Sequence, residues 1–168
     1  EKLLEEYQRG PSHGPLSDAE RVQYIGRGYR HHYEVSLRLV DLVERHPESP
    51  LAVRALIQAA WQVNTTPWPV EMVGDDTASG RALAILQRDH LGSAELARVC
   101  RRISWGFRRE YEPFLRAVLA GSPHREVQAI ACLSLAHYLS QRVQRLDLLA
   151  LQPDSRKEFA GLFGADYL

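Results

Sequence analysis

Apolar residues recur along most of this chain at steps of three and four. From Tyr33 to His46, the residues Tyr33, Leu37, Val40 and Val43 keep that spacing, and Leu39 and Leu42 widen the stripe. Such spacing lines one face of an amphipathic helix. Similar stripes run over Ala82 to Leu91, Ala94 to Trp105, Tyr111 to Leu119 and Arg125 to Val143. No stretch alternates with period two for long enough to make a strand. Start signals agree: Ser17-Asp18-Ala19-Glu20 and Ser155-Arg156-Lys157-Glu158 have capping-box form. Ser49-Pro50 and Ser122-Pro123 each set a capping serine before a proline suited to a first helical turn, and Ser93 serves without the proline. The pattern predicts an all-α fold.

An internal repeat refines it. A shift of 44 residues lays Leu39, Leu42, His46, Ser49, Arg54 and Trp61 on Leu83, Leu86, His90, Ser93, Arg98 and Trp105. A third unit aligns on Ser122, with Leu115 in the place of Leu42 and Leu86, and Ala129 in that of Leu56 and Cys100. Each unit reads as helix, short turn, helix. A hairpin of this kind buries its apolar stripes only by stacking on its neighbours. The expected architecture is one domain of stacked antiparallel hairpins, a tetratricopeptide-like short solenoid or an irregular bundle.

Its parts are an N-terminal arm and breaker over 1–16, a first hairpin region over 17–64, a Pro-rich loop over 65–80, hairpins over 81–107 and 108–143, and a C-terminal helix over 144–168. The loop holds Trp68 between two prolines, a stiff apolar side chain that either covers the core or meets a partner.

Composition removes classes of function. Lys plus Arg (21) equals Asp plus Glu (21), so no global field draws the chain to nucleic acid. No apolar run reaches the roughly 20 residues needed to span a bilayer. Lysine occurs only at Lys2 and Lys157, and the sole methionine is Met72. A chain that opens on Glu1-Lys2-Leu3-Leu4, already helical in pattern, reads as a piece or processed form of something longer.

The chemistry-bearing residues do not converge. Cys100 and Cys132 form no CxxC and sit in apolar helical surroundings, where a thiol is inert. Counted from their caps they stand about one turn apart on neighbouring helices. With axes some 8–10 Å apart and an offset of about 4.5 Å, they lie beyond the ~7 Å bridging limit. Two buried free thiols are expected. The seven histidines include no HExxH and no zinc quartet; His46 and His90 end equivalent helices, where they complement the helix dipole. Gly26-Arg27-Gly28 is too short for a phosphate loop, and Asp75-Asp76 read as a helix start. No catalytic group, metal or cofactor site is expected.

Arg98 to Arg116 carries six arginines with Trp105, Phe107 and Tyr111 interleaved. Charge mixed with stacking rings suits single-stranded nucleic acid. The rings are instead spaced as core residues, and Glu95, Glu110 and Glu112 dilute the charge, so an acidic protein partner is the better fit. Trp68, Arg101, Arg102 and Arg108 are the candidate contacts.

The segments Ala94 to Ile103, Phe114 to Leu119 and Ser122 to Leu139 resemble a helical region of bacterial, planctomycete-type redoxin proteins, where it precedes a thioredoxin-like domain. The likeness runs from Ser17 to Leu168 and is closest over Ser122 to Leu139; the loop after Asn64 departs from it. It implies a helical module of an envelope-associated or secreted protein that positions, dimerises or docks a redox domain. The Trp-Cys-x-x-Cys site of such a domain has no counterpart here, so no reactive residue carries over to Cys100 or Cys132.

The resulting expectation is a non-catalytic scaffold that binds a protein partner or sits in a larger assembly. It would work in the bacterial periplasm or outside the cell, with the cytoplasm as the other location. Two other readings differ in class: a fragment of a thiol-redox enzyme using Cys100 and Cys132, and a structural subunit whose stripes are buried by other chains.

Overall fold

The computed structural model describes residues 2, 18–60 and 77–168. Among them there are only helices and their connections: α1 (Asp18–Arg45), α2 (Ala52–Ala59), α3 (Ala78–Asp89), α4 (Leu96–Ile103), α5 (Tyr111–Gly121), α6 (Arg125–Ala150), α7 (Pro153–Phe163) and a final 3-10 turn, Ala165–Tyr167. The chain is all-α, as its periodicity predicts. Trp61, Trp68, Asp75, the breaker over 10–15 and the proposed Ser17 cap lie outside the described residues.

The closest pairings join α1 to α2, α2 to α3, α5 to α6, and α4 to α6. α1 with α2 and α5 with α6 are hairpins, since each pair packs closely across a short connection. One core runs through α1 to α6, with Leu39, Leu56, Leu86, Leu96, Phe114 and Tyr138 almost wholly buried. In α1 the buried face is Val35, Leu39, Val40 and Val43; Tyr33 and Leu37 are half-buried, and Leu42 is 38% exposed. The expected stripe is therefore turned toward Val35 and Leu39.

The turns repeat in detail. Ser49 accepts the amide of Leu51 at 3.3 Å, Ser93 that of Glu95 at 3.2 Å, and Ser122 that of His124 at 3.4 Å. Each is a local serine turn, and each next helix starts three residues after its serine. The serines set the entry turn; none is itself the residue before the helix. The amides of His46 and His90 bond to the carbonyls of Leu42 and Leu86, both at 3.0 Å. Ser49 and Ser93 then bond to His46 and His90, so one pattern recurs 44 residues apart. Burial departs from the alignment twice. Leu42 is partly exposed where Leu86 is buried, and Ala129 faces outward while Val127 and Ala131 face the core.

Two boundaries move. Thr77 caps α3 by accepting the Gly80 amide at 3.1 Å, so residues 78–80 are helix and not loop. α6 passes through position 144 to Ala150, because nothing between Val143 and Leu151 breaks a helix. Pro153, at the start of α7, supplies the break, and the Ser155 hydroxyl bonds to the Gln152 side chain at 3.2 Å.

The end of the chain folds back. Gly164 holds φ +90°, and a Cβ there would stand 2.5 Å from Asp166 Oδ1, so glycine alone fits. The reversal brings Tyr167 to Tyr138. The Tyr138 hydroxyl donates to the Arg108 carbonyl at 2.9 Å and also meets the Tyr167 hydroxyl. A phenol has one proton; Tyr138 gives its own to the carbonyl, so Tyr167 donates to Tyr138. Phe107, Phe159, Phe163 and Tyr167 gather beside this joint with centroids 5.3–6.5 Å apart.

Burial pushes the Tyr111 phenol up to about 12 and raises Tyr138 and Tyr167 as well. Unfolded phenols ionise near pH 10. Above that the unfolded chain holds fewer protons than the folded one, so stability falls as pH rises from about 10 to about 12. Tyr138→Phe removes one of the two donors to the buried Arg108 carbonyl, which keeps the Tyr111 amide at 3.2 Å, and should cost about 0.5–1.5 kcal/mol at pH 7, with a shallower alkaline loss. Denaturant unfolding at the two pH values checks both.

Candidate interaction surface

Of the four expected contacts, the structure offers one plainly to solvent. Arg101 is exposed near the end of α4. Arg102 is half-buried, with its guanidinium 3.5 Å from Gln58 on α2. Trp68 lies outside the described residues. Arg108 turns inward and is 7% exposed. Its Nε pairs with Glu110 at 2.6 Å, and its Nη2 donates to Thr77 at 3.0 Å. It pins the α4–α5 connection to the start of α3 and has no charge to offer a partner. The spacing of Trp105, Phe107 and Tyr111 reads as core, yet only Phe107 and Tyr111 are buried; Trp105 is 67% exposed. With the helix ending at Ile103, the ring falls outside the packed face. It rests edge-on against His137 of α6, centroids 4.1 Å apart.

One turn before His137 lies Leu133, 72% exposed, and Ala136 and Val143 continue the outer face of α6. These residues went unnoticed in the sequence because Arg125 to Val143 read as a single core stripe. The available signal was a helix with apolar residues on both faces, which needs cover on both. Arg101, Trp105, His137 and Leu133 thus form one outward patch along the α4–α6 edge.

The thiols divide. Cys100 is buried, and burial pushes its thiol up to about 12. Cys132 is exposed on the outer face of α6, which corrects the expectation of two buried thiols; its position points away from the core that holds Val127 and Ala131. Both are free. A thiolate is the reactive form, and the setting of Cys100 opposes it.

Two grooves open on the surface of the described residues. One, about 370 Å³ and open, lies between α3 and α5 and is lined by Leu83, Gln87, Arg109, Glu110 and Pro113. Its charges are already engaged: Arg109 bonds to Asp166 at 2.6 Å and Glu110 to Arg108. The other, about 360 Å³, lies by Ala94, Ala97 and Glu126, where His124 Nε2 contacts the Gly92 carbonyl at 2.9 Å. Among the described residues no three of His, Cys, Asp and Glu gather as metal ligands, and no helix is long and apolar enough to cross a membrane. Comparison with protein-family models, curated proteins and solved structures gives no match.

Maleimide labelling of the native chain should add one label, at Cys132, and a second only after unfolding; intact mass reads both. Arg101→Ala should shift stability by less than about 0.5 kcal/mol. Arg108→Ala removes a buried guanidinium from Glu110 and Thr77 and should cost more, about 1–3 kcal/mol. Parallel denaturant curves compare the two.

Proposed function

We propose that this chain is a non-catalytic helical interaction module that presents the α4–α6 edge to a protein. The observation that carries the reading is Trp105, a large ring left 67% exposed but held in place by His137. A rigid aromatic gives much contact area for little lost entropy, and exposed tryptophans mark binding surfaces. Leu133 adds an apolar neighbour, and Arg101 a charge at the rim. The arginine run favours protein over nucleic acid as the partner. Arg98, Arg108, Arg109 and Arg116 pair with Glu95, Glu110, Asp166 and Glu112, which leaves little unbalanced charge to neutralise phosphates.

The finer terms belong to the same proposal. The 44-residue recurrence of serine turns and helix-end bonds supports a hairpin-repeat, tetratricopeptide-like ancestry. The module would form part of a larger redoxin-type or envelope protein, or of a multi-subunit assembly. That context rests on the likeness over Ser122 to Leu139.

A photoreactive amino acid at position 105 or 133 of the full protein, irradiated in its host, tests the reading. Protein adducts are expected at both positions and none above background at Glu48, which is exposed in the α1–α2 turn. Equal yields at all three positions, or no adduct at 105 and 133, would overturn it.

A further inference from the structure

α7 and the final turn lie outside the core that α1 to α6 share. After Tyr138, only Leu149 and Tyr167 are buried among the described residues, and neither joins that core. On α7 itself no described residue is buried. Residues 153–168 are instead held by a satellite cluster, in which Phe159, Phe163 and Tyr167 surround the ring of Phe107. Three polar contacts close it: the Tyr167 hydroxyl to Tyr138, Arg142 to the Tyr167 carbonyl at 3.1 Å, and Arg109 to Asp166 at 2.6 Å. The link to α6 is two residues long, Leu151 and Gln152, and ends on Pro153. Leu151 is 80% exposed and Gln152 is exposed too, so a turn at this link disturbs no packed side chain. A helix of 11 residues is marginal in water without support, so α7 unwinds once it detaches.

We infer that residues 153–168 are a strap that opens as a unit at Leu151 and Gln152 while α1 to α6 stay folded, and that the closed strap holds Trp105 at the α4–α6 edge. The second half rests on the interaction-module reading and names the regulation of that edge. Two of the residues the strap grips, Phe107 and Arg109, lie on the connection into α5, and Trp105 stands two residues before Phe107. Opening takes three ring partners from Phe107 and the Asp166 carboxylate from Arg109. Tyr138 stays with the Arg108 carbonyl, because both belong to the body of the fold. Phe107 keeps the Arg145 guanidinium of α6, 5.3 Å from its centroid, but no longer anchors the connection in an apolar cluster. Trp105 then loses its fixed approach to His137. A ring that must be ordered on binding contributes less affinity than one already in place, so the edge binds in the closed state.

Hydrogen exchange of the full chain, read amide by amide by NMR at rising denaturant, tests the opening. Amides over 156–164 should share one opening equilibrium, exchange at least about tenfold faster than those over 131–138, and show a smaller denaturant slope. The Gly106 and Tyr111 amides, bonded to the Ile103 and Arg108 carbonyls, should share the equilibrium of the strap. Tyr167→Ala should strip protection from the strap while amides over 131–138 stay protected. Tyr167→Phe, which keeps the ring, should speed the strap amides by roughly two- to tenfold. A photoreactive residue at 105 should give severalfold fewer protein adducts in the Tyr167→Ala chain than in the wild type.

Strap amides that exchange only together with the core, or that fray one by one from the final turn inward, overturn the opening. Gly106 and Tyr111 amides that follow a different equilibrium, or adducts undiminished in Tyr167→Ala, overturn the hold on Trp105. If position 105 gives no adduct even in the wild type, the module reading falls, and hydrogen exchange still decides the strap.

Discussion

The Tyr138 hydroxyl sits where three parts of the chain meet: α6, the connection into α5, and the returning C-terminal turn. The connection over 104–110 is not helical, so its backbone groups lack the partners a helix supplies, and Phe107 and Arg108 are buried. A buried carbonyl without a donor costs as much as a lost hydrogen bond. The Arg108 carbonyl accepts from the Tyr111 amide at 3.2 Å and from the Tyr138 hydroxyl of α6, and Tyr167 donates to Tyr138 in turn. Arg142 completes the set by donating to the Tyr167 carbonyl at 3.1 Å while its guanidinium lies 4.5 Å from the Tyr167 ring centroid. With the Arg108 carbonyl and both phenols satisfied, Phe107 enters the aromatic cluster of α7. The position of α7, and the reversal at Gly164, follow from this joint.

The same helix has a second face, and the contrast between the two explains why a surface exists here. Val127, Ala131, Leu135 and Tyr138 point into the core, while Ala129, Leu133, Ala136 and Val143 point out. α4 and α5 both pack on the inner side, and Trp105 reaches the rim from the end of α4. A 26-residue helix fixed so firmly along one side presents the other as a rigid surface. Rigidity matters because ordering costs of binding are then already met in the free chain.

Fold class was legible because helical periodicity is a local property, and so were the serine turns, whose bonds span only two residues. Helix limits were harder. Thr77 was hidden in a loop defined by its prolines, and α6 ran on because the absence of a breaker is a weaker signal than its presence. The inward turn of Arg108 and the outward turn of Trp105 were not legible at all. Both lie beyond the end of α4 at Ile103, and no spacing rule covers a residue beyond a helix end. For Cys132 and Ala129 the error was of another kind. An apolar neighbourhood in sequence was read as burial, although successive residues of a helix point about 100° apart and need not share a face.

The preference for arginine over lysine gains a structural sense in this light. Arg81 joins α3 to Asp41 and Glu44 of α1 at 2.8 and 2.7 Å; Arg109 joins the α5 entry to Asp166; Arg142 joins α6 to Glu112 and Tyr167. Each guanidinium ties its own element to another, and those of Arg81 and Arg142 engage two groups at once, which a planar fork with five donors can do and a single ammonium does poorly. Arg108 does so while buried, where the weaker hydration of guanidinium lowers the cost of leaving water. Exposed pairs of this kind contribute about 0–1 kcal/mol each, so their main effect is to fix which helices are neighbours. Arg81, Arg88, Arg98, Arg108, Arg109, Arg116 and Arg142 are thus engaged in ion pairs within the fold. On the outer face of α6, Ala129, Leu133, Ala136, Ser140 and Val143 carry no charge and take no part in this cross-linking.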